Sequence, residues 1–205
     1  MKRILCLLLL TALAGYAQGS SSVKAAIGIK PGMNITTYNP DDDLRNYTGV
    51  GFNIGFGLGL DVGNIGVELG PSFRNTNYSR TVHTILGDVT NSWHYNNFYL
   101  PVHFLLKANE IGTTAPYLGL GFALDYQTDG YTVIGSLNPI DVANGDLEDD
   151  FFLSLALGAD INQNHFKVTP ELTFDYNLTP DIGDADDHTE SNYDFTISVG
   201  LYFVP

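Results

Sequence analysis

Five histidines, 23 carboxylates and a single thiol, Cys6, are the groups with which this 205-residue chain could do chemistry. The histidines (His83, His94, His103, His165 and His188) are scattered. No two stand at i, i+2 or i, i+4, so they do not read as a metal site. His103 invites a sharper reading, because Glu68 and Ser72 on a neighbouring element would complete a constellation of the kind that hydrolyses lipid. A satisfied interior histidine is the simpler account. The acidic runs Asp41-Asp42-Asp43, Glu148-Asp149-Asp150 and Asp184-Ala185-Asp186-Asp187 offer oxygen ligands to a hard cation, yet none has the spaced ligands, central Gly and terminal Glu of a calcium loop. A solvated, self-repelling surface explains them. The remaining set is Lys30, Glu68, Arg74, Lys107, Lys167, Glu171 and Asp175. These seven either line a passage or neutralise one another in a packed interior, and the second is expected, since buried charges persist when paired. No catalytic group, cofactor site or metal site is assigned.

Which of these residues meet depends on the elements that carry them. Lys2 and Arg3, the apolar run Ile4 to Leu10 and the small residues Ala12, Ala14, Gly15 and Ala17 read as a secretory signal over residues 1–17, cleaved after Ala17. Residues 18–205 then form one domain without a thiol, hence without disulfides. Nine Lys and Arg against 23 Asp and Glu give a net charge of −14, which excludes a nucleic-acid partner. The chain is 44% hydrophobic but only 16% charged, too apolar for disorder and short of the usual quarter for a soluble domain. No later run approaches the ~18 apolar residues of a membrane helix.

Past residue 23 the apolar period is two. Eight strands are expected at about 24–35, 50–60, 65–78, 94–107, 115–126, 150–161, 165–176 and 192–203, long for globular strands and suited to tilted membrane strands of about 9–11 residues. In 150–161, Phe151, Leu153, Leu155, Leu157, Ala159 and Ile161 alternate with Ser154, Ala156, Gly158 and Asp160. In 50–60, Phe52, Ile54, Phe56, Leu58 and Leu60 alternate with Gly51, Asn53, Gly55, Gly57 and Gly59. Phased on its bulky residues, every strand puts its charges on the polar face: Lys24, Lys30, Arg74, Lys107, Lys167, Glu68, Asp125, Asp150, Asp160, Glu171, Asp175 and Asp194.

Such a pattern closes either as a soluble barrel with its apolar face inside or as a membrane barrel with that face outside. The polar face is mostly Gly, Ser, Thr and Asn, which suits the narrow lumen of eight strands better than a water-exposed exterior. The intervals between strands alternate long and short: 36–49, 61–64, 79–93, 108–114, 127–149, 162–164 and 177–191. That is the rhythm of long external loops and short periplasmic turns, with both termini on the periplasmic side. Pro31, Pro71, Pro101 and Pro170 should mark bulges or strand ends, because a closed barrel has no free edge for a missing N–H. Tyr126, Tyr176 and Tyr193, with Phe166 and Phe203 at the other rim, read as interfacial girdles. Tyr38, Tyr47, Trp93 and Tyr131 are surface aromatics that could alternatively hold sugars.

The segments Ala26-Ile27-Gly28-Ile29-Lys30-Pro31-Gly32-Met33-Asn34, Phe98-Tyr99-Leu100-Pro101-Val102-His103-Phe104-Leu105-Leu106-Lys107 and Ile197-Ser198-Val199-Gly200-Leu201-Tyr202-Phe203 resemble those of the PorT-like outer-membrane β-barrel domain proteins of Bacteroidetes. The resemblance implies a cell outer-membrane location and insertion by the barrel-assembly machinery through the last strand. Val204 and Pro205 depart from the family's pattern of closing on the aromatic. The expected fold is therefore all-β: an eight-stranded antiparallel up-and-down transmembrane barrel with short periplasmic turns and long acidic extracellular loops. The expected function is non-enzymatic and porin-like in fold, with a packed polar lumen and acidic loops for envelope structure or surface binding. Outer-membrane lipid and lipopolysaccharide are its expected partners. The alternatives are a lipid-modifying enzyme of the outer membrane and a secreted soluble barrel holding an apolar ligand.

Overall fold

The computed structural model describes residues 23–39, 47–84, 87–135, 140–141, 149–179 and 191–204. The expected signal segment, Cys6, His188 and most of the acidic runs lie outside the described residues, as do the side chains of Tyr38, Tyr47 and His83.

Ten antiparallel strands are described: β1 (Val23–Asn39), β2 (Tyr47–Val62), β3 (Ile65–Leu69), β4 (Ser72–Thr84), β5 (Gly87–Lys107), β6 (Thr114–Ile134), β7 (Ile140–Asp141), β8 (Asp149–Gln163), β9 (Phe166–Asn177) and β10 (Ser191–Phe203). β3 and β4 are two halves of one barrel strand, both lying between β2 and β5, and β7 only borders the far end of β6. The ring therefore has eight staves. It closes where β1 pairs with β10.

Alternation explains what each side of the wall presents. A path along paired residues runs Tyr193, Tyr176, Leu153, Phe122, Val102, Leu69, Leu58 and Ile27, then returns to β10 at Phe203. Every residue on it is apolar or aromatic, and one circuit climbs ten residues, from Tyr193 to Phe203. That stagger accompanies strands tilted by about 35–45°. The row one residue over runs Asp194, Asp175, Ser154, Gly121, His103, Glu68, Gly59 and Ala26 and faces inward. A change of one residue in register would exchange the two rows.

The turns at one end are tight. Gly63-Asn64 joins β2 to β3 with Gly63 at φ 59°, and Asn164-His165 joins β8 to β9 with Asn164 at φ 51°. Left-handed backbone at these positions is why Gly and Asn occupy them.

Each proline removes a ladder bond, and the ring absorbs the loss locally. Pro71, with Gly70, is a strand break; Gly70 N–H donates to Pro101 O at 3.1 Å and Phe56 N–H to Pro71 O at 2.9 Å, so the break stays hydrogen-bonded on both sides. Beside Pro31 the β1–β10 register lapses between Ile29 and Gly32, and beside Pro170 the β8–β9 register lapses between Gly158 and Ile161. These are gaps on one side of a strand, where bulges or strand ends were expected. The bulge that does occur is elsewhere, between Asn96 and Asn97 of β5 and the facing residues of β6.

Parts of two expected loops are in fact strand. Within 79–93, residues 79–84 and 87–93 are strand: β4 and β5 stay paired out to Thr84 and Gly87. Of residues 127–149, the first eight are strand, because β6 runs on to Ile134, and Ile140–Asp141 pair with it as β7; residues 136–139 and 142–148 lie outside the described residues. Thr81, Val82, Thr84, Val89 and Thr90 are β-branched, and Thr81 Oγ1 meets Thr90 Oγ1 at 2.9 Å across the pair. The sheet thus projects well past the ring on the side opposite the tight turns.

Candidate functional site

The inward faces of the staves bring the expected charges together in three groups. Nearest the projecting sheet, Arg74 of β4 is fully buried and meets three carboxylates: Asp194 directly, and Asp125 and Asp175 each at 3.5 Å. Its guanidinium lies 3.7 Å above the centre of the Tyr99 ring, while Tyr99 Oη donates to Asp175 at 2.6 Å. In the middle, Lys30 Nζ of β1 lies 2.6 Å from both Glu68 of β3 and Glu171 of β9. Tyr117 Oη donates to the other oxygen of Glu171 at 2.6 Å and Thr173 Oγ1 donates to Glu171 at 3.0 Å. Towards the tight turns, Lys107 lies 2.7 Å from Asp61 and 2.5 Å from Asp160. Asp160 also takes Lys167 at 3.3 Å and the Thr169 hydroxyl at 2.9 Å.

All seven residues singled out in the sequence face the lumen, but they do not form one chain of mutual pairs. Asp125, Asp160, Asp194 and Asp61 complete the groups, and Tyr99 and Tyr117 bind them together. The first three were visible as polar-face charges; the two tyrosines carried only the signal that their phase is inward. A buried cation with carboxylates at hydrogen-bond distance is tolerable where an unpaired one is not, because pairing replaces lost hydration. A cavity of about 30 Å³ remains beside the middle group, lined by Lys30, Asn53, Ser72, Tyr99, His103 and Glu171. That holds about two waters.

The suggested trio of His103, Glu68 and Ser72 is not assembled. Glu68 and His103 are register partners, but Glu68 pairs with Lys30 and the Ser72 hydroxyl turns to the Tyr99 carbonyl at 3.5 Å. His103 Nε2 instead reaches across to Ser154 Oγ at 2.7 Å, and Ser154 Oγ donates to Asp175 at 2.5 Å. The serine has one proton and gives it to the carboxylate, so it accepts from the imidazole. That order is the reverse of an activated nucleophile, in which histidine takes the serine proton. All three side chains are buried.

A lumen of paired charges inside a wall of outward Phe, Leu and Ile is the pattern of a membrane barrel, and a family described as "Outer membrane protein beta-barrel domain" matches residues 4–203. The chain belongs to that family. Its location is accordingly the outer membrane. Among solved structures, a major outer membrane protein from Thermus thermophilus is 13% identical, with 89% of this chain and 99% of that one covered and a TM-score of 0.53. Neisserial surface protein A is 11% identical over 87% of this chain and 97% of its own, with a TM-score of 0.49. The attachment invasion locus protein Ail of Yersinia pestis is 15% identical over 88% and 99%, with a TM-score of 0.45. At 13% identity the Thermus thermophilus protein speaks to the fold alone. No curated protein matches the chain.

As an outer-membrane barrel, the chain presents Phe52, Phe56, Leu120, Leu157 and Ile197 to lipid, each roughly half exposed or more. The soluble alternative needs these inside, and the structure has the two faces the other way round. Tyr176 and Tyr193 lie 5.4 Å apart at the outer strand ends, and Phe166 and Phe203 meet edge-on at 5.9 Å at the opposite rim. Phe56→Arg places a charge on the lipid side of β2. It is expected to lower barrel stability by about 2–4 kcal/mol, read by urea unfolding in lipid vesicles; a smaller loss than that of an inward Asn53→Ala change would contradict the assigned lipid face.

Proposed function

We propose that this protein is a non-enzymatic outer-membrane scaffold, a plugged barrel that holds its projecting sheet and acidic loops at the cell surface for envelope structure or surface binding. The filled lumen carries this reading. Three ion-paired groups follow one another along it, and the cavity beside the middle group has room for about two waters. The sealed, reversed order of His103, Ser154 and Asp175 speaks against a lipid-modifying enzyme. Lipopolysaccharide and outer-membrane lipid are the proposed partners. Lys2 and Arg3 before the apolar run Ile4 to Leu10 support export through a signal cleaved after Ala17, and the resemblance to PorT-like proteins of Bacteroidetes supports insertion by the barrel-assembly machinery.

Planar-bilayer recording tests the plug. The purified barrel is expected to give a current no different from that of a protein-free bilayer, and stable unit steps in the unaltered protein would overturn the reading. The enzyme alternative is tested separately: cells carrying His103→Asn should keep the lipid profile of their parent, whereas a changed profile would sink the non-enzymatic proposal.

A further inference from the structure

The outward face of β4, β5 and β6 changes character abruptly on leaving the membrane. Its last apolar row is Phe73, Phe98 and Tyr126, paired side by side. The next row up is Asn75, Asn96 and Asp129, and the one above it is Asn77, His94 and Tyr131. These side chains are locked together rather than solvated singly. His94 Nδ1 lies 2.6 Å from Asn77 Oδ1, Asn77 donates to Asn75 at 2.7 Å, Asn75 to Asn96 at 2.9 Å and Asn96 to Asp129 at 2.6 Å. The His94 ring stacks on Tyr131 with centroids 4.5 Å apart and planes 18° from parallel. Tyr131 remains 38% exposed.

Height decides what this surface meets. Two residues of strand rise about 6.7 Å, or about 5 Å along the membrane normal once tilted. A row descends from β6 towards β4 around the tilted barrel, so at β6 Asp129 stands about 5 Å and Tyr131 about 10 Å above the edge of the hydrocarbon, while Asn75 and Asn77 of β4 stand lower. Phospholipid headgroups extend only about 5–7 Å beyond that edge. An outer leaflet of lipopolysaccharide carries sugar through both heights. The chemistry selects within that layer: phosphates call for Lys or Arg, and these two rows hold none, offering amides, one carboxylate and a stacked aromatic pair. Amide and carboxylate groups match sugar hydroxyls, and an aromatic face matches the C–H face of a pyranose.

We infer that Asn75, Asn77, His94, Asn96, Asp129 and Tyr131 form a docking surface for the hydroxyl-rich core saccharide of lipopolysaccharide in the surrounding leaflet. The inference deepens the scaffold reading by assigning its partner, and it stands or falls separately from the plug, which conductance tests. The pre-formed ladder fixes donors and acceptors before the ligand arrives, which reduces the ordering that binding requires.

The test uses the full barrel in detergent micelles and two probes, lipopolysaccharide with a core oligosaccharide but no O-chain, and lipid A with its phosphates alone. Thermophoresis should give about tenfold tighter binding to the core-bearing form. The double variant N96A/Y131A should lose that preference while keeping its affinity for lipid A and its boiled-versus-unboiled gel shift. Tyr131→Leu alone serves if the double variant does not fold. Thr132→Ala, on the other face of the same strand, should leave the preference intact. Equal binding of the two lipids, a preference that survives in N96A/Y131A, or one lost in Thr132→Ala would each overturn the assignment.

Discussion

Replacing Arg74 with methionine should unfold the barrel under conditions in which the parent is stable. Three carboxylates, Asp125, Asp175 and Asp194, converge on this one guanidinium, whose side chain has no exposed surface. Removing one partner of a buried pair costs about 3–5 kcal/mol, since the other is left charged and unhydrated. Here three are left, against a total stability of about 5–15 kcal/mol for a typical domain. Arg74→Met is therefore expected to abolish the unboiled, fast-migrating gel species and to shift the urea midpoint in micelles far below the parent's. Asp194→Asn added to Arg74→Met removes one of the stranded charges and should recover part of the loss. Arg74→Lys should fall between, because an ammonium cannot address three acceptors and stack on Tyr99 at once. If Arg74→Met kept the parental midpoint, Arg74 would not be the counter-charge of this group.

The second large effect is expected at Gly57. Tyr202 of β10 is wholly buried and pairs with Gly28 of β1, which in turn pairs with Gly57 of β2. The tyrosine ring reaches Gly57, where a Cβ would fall directly on the ring. On its other side Lys167 Nζ stands 4.7 Å from the ring centre. The ring has nowhere to retreat, and overpacking of a fixed core costs about 1–3 kcal/mol or more. Gly57→Leu should then refold in detergent with much reduced yield. Gly59→Ala is the matched control, since its Cβ would meet only the Ala26 Cβ at an ordinary 3.7 Å. Combining Tyr202→Ala with Gly57→Leu should restore folding in part. Equal yields for Gly57→Leu and Gly59→Ala would show that Tyr202 does not fill this space.

The wall of the barrel was legible in the sequence because one apolar residue in two is a signal that survives without any knowledge of partners. Phe151 to Ile161 and Phe52 to Leu60 reveal their outward faces by type alone, and the charges fall on the other face by exclusion. The projecting sheet was not legible: Thr81 to Thr90 carries little apolar alternation, its strand character resting on backbone pairing and β-branching, so it reads as loop. The site was legible as a list but not as a map. Lys30 meets Glu68 and Glu171, 38 and 141 residues away, and only the ten-residue stagger decides that such residues share a level. The same stagger explains the misassigned serine. Ser72 is near His103 along the wall, but the imidazole points across the lumen, where β8 supplies Ser154. Tyr99 and Tyr117 face inward by phase, but residue type alone does not show that each gives its hydroxyl to a buried carboxylate.

The seam between β1 and β10 also sets the order in which the molecule can assemble. It joins the first described strand to the last, so no ring exists until β10 is in place, and its contacts are the most distant in the chain. Such non-local pairing is slow, because loop entropy is lost before the contacts return it. The lapse beside Pro31 divides the seam into two blocks, Ile27 to Ile29 against Leu201 to Phe203 and Gly32 to Asn39 against Ser191 to Ser198. The two blocks can zip independently, from the rim by the tight turns and from the surface side. The open sheet that precedes closure presents β1 and β10 as free edges, the two places where a template strand can pair with the nascent barrel.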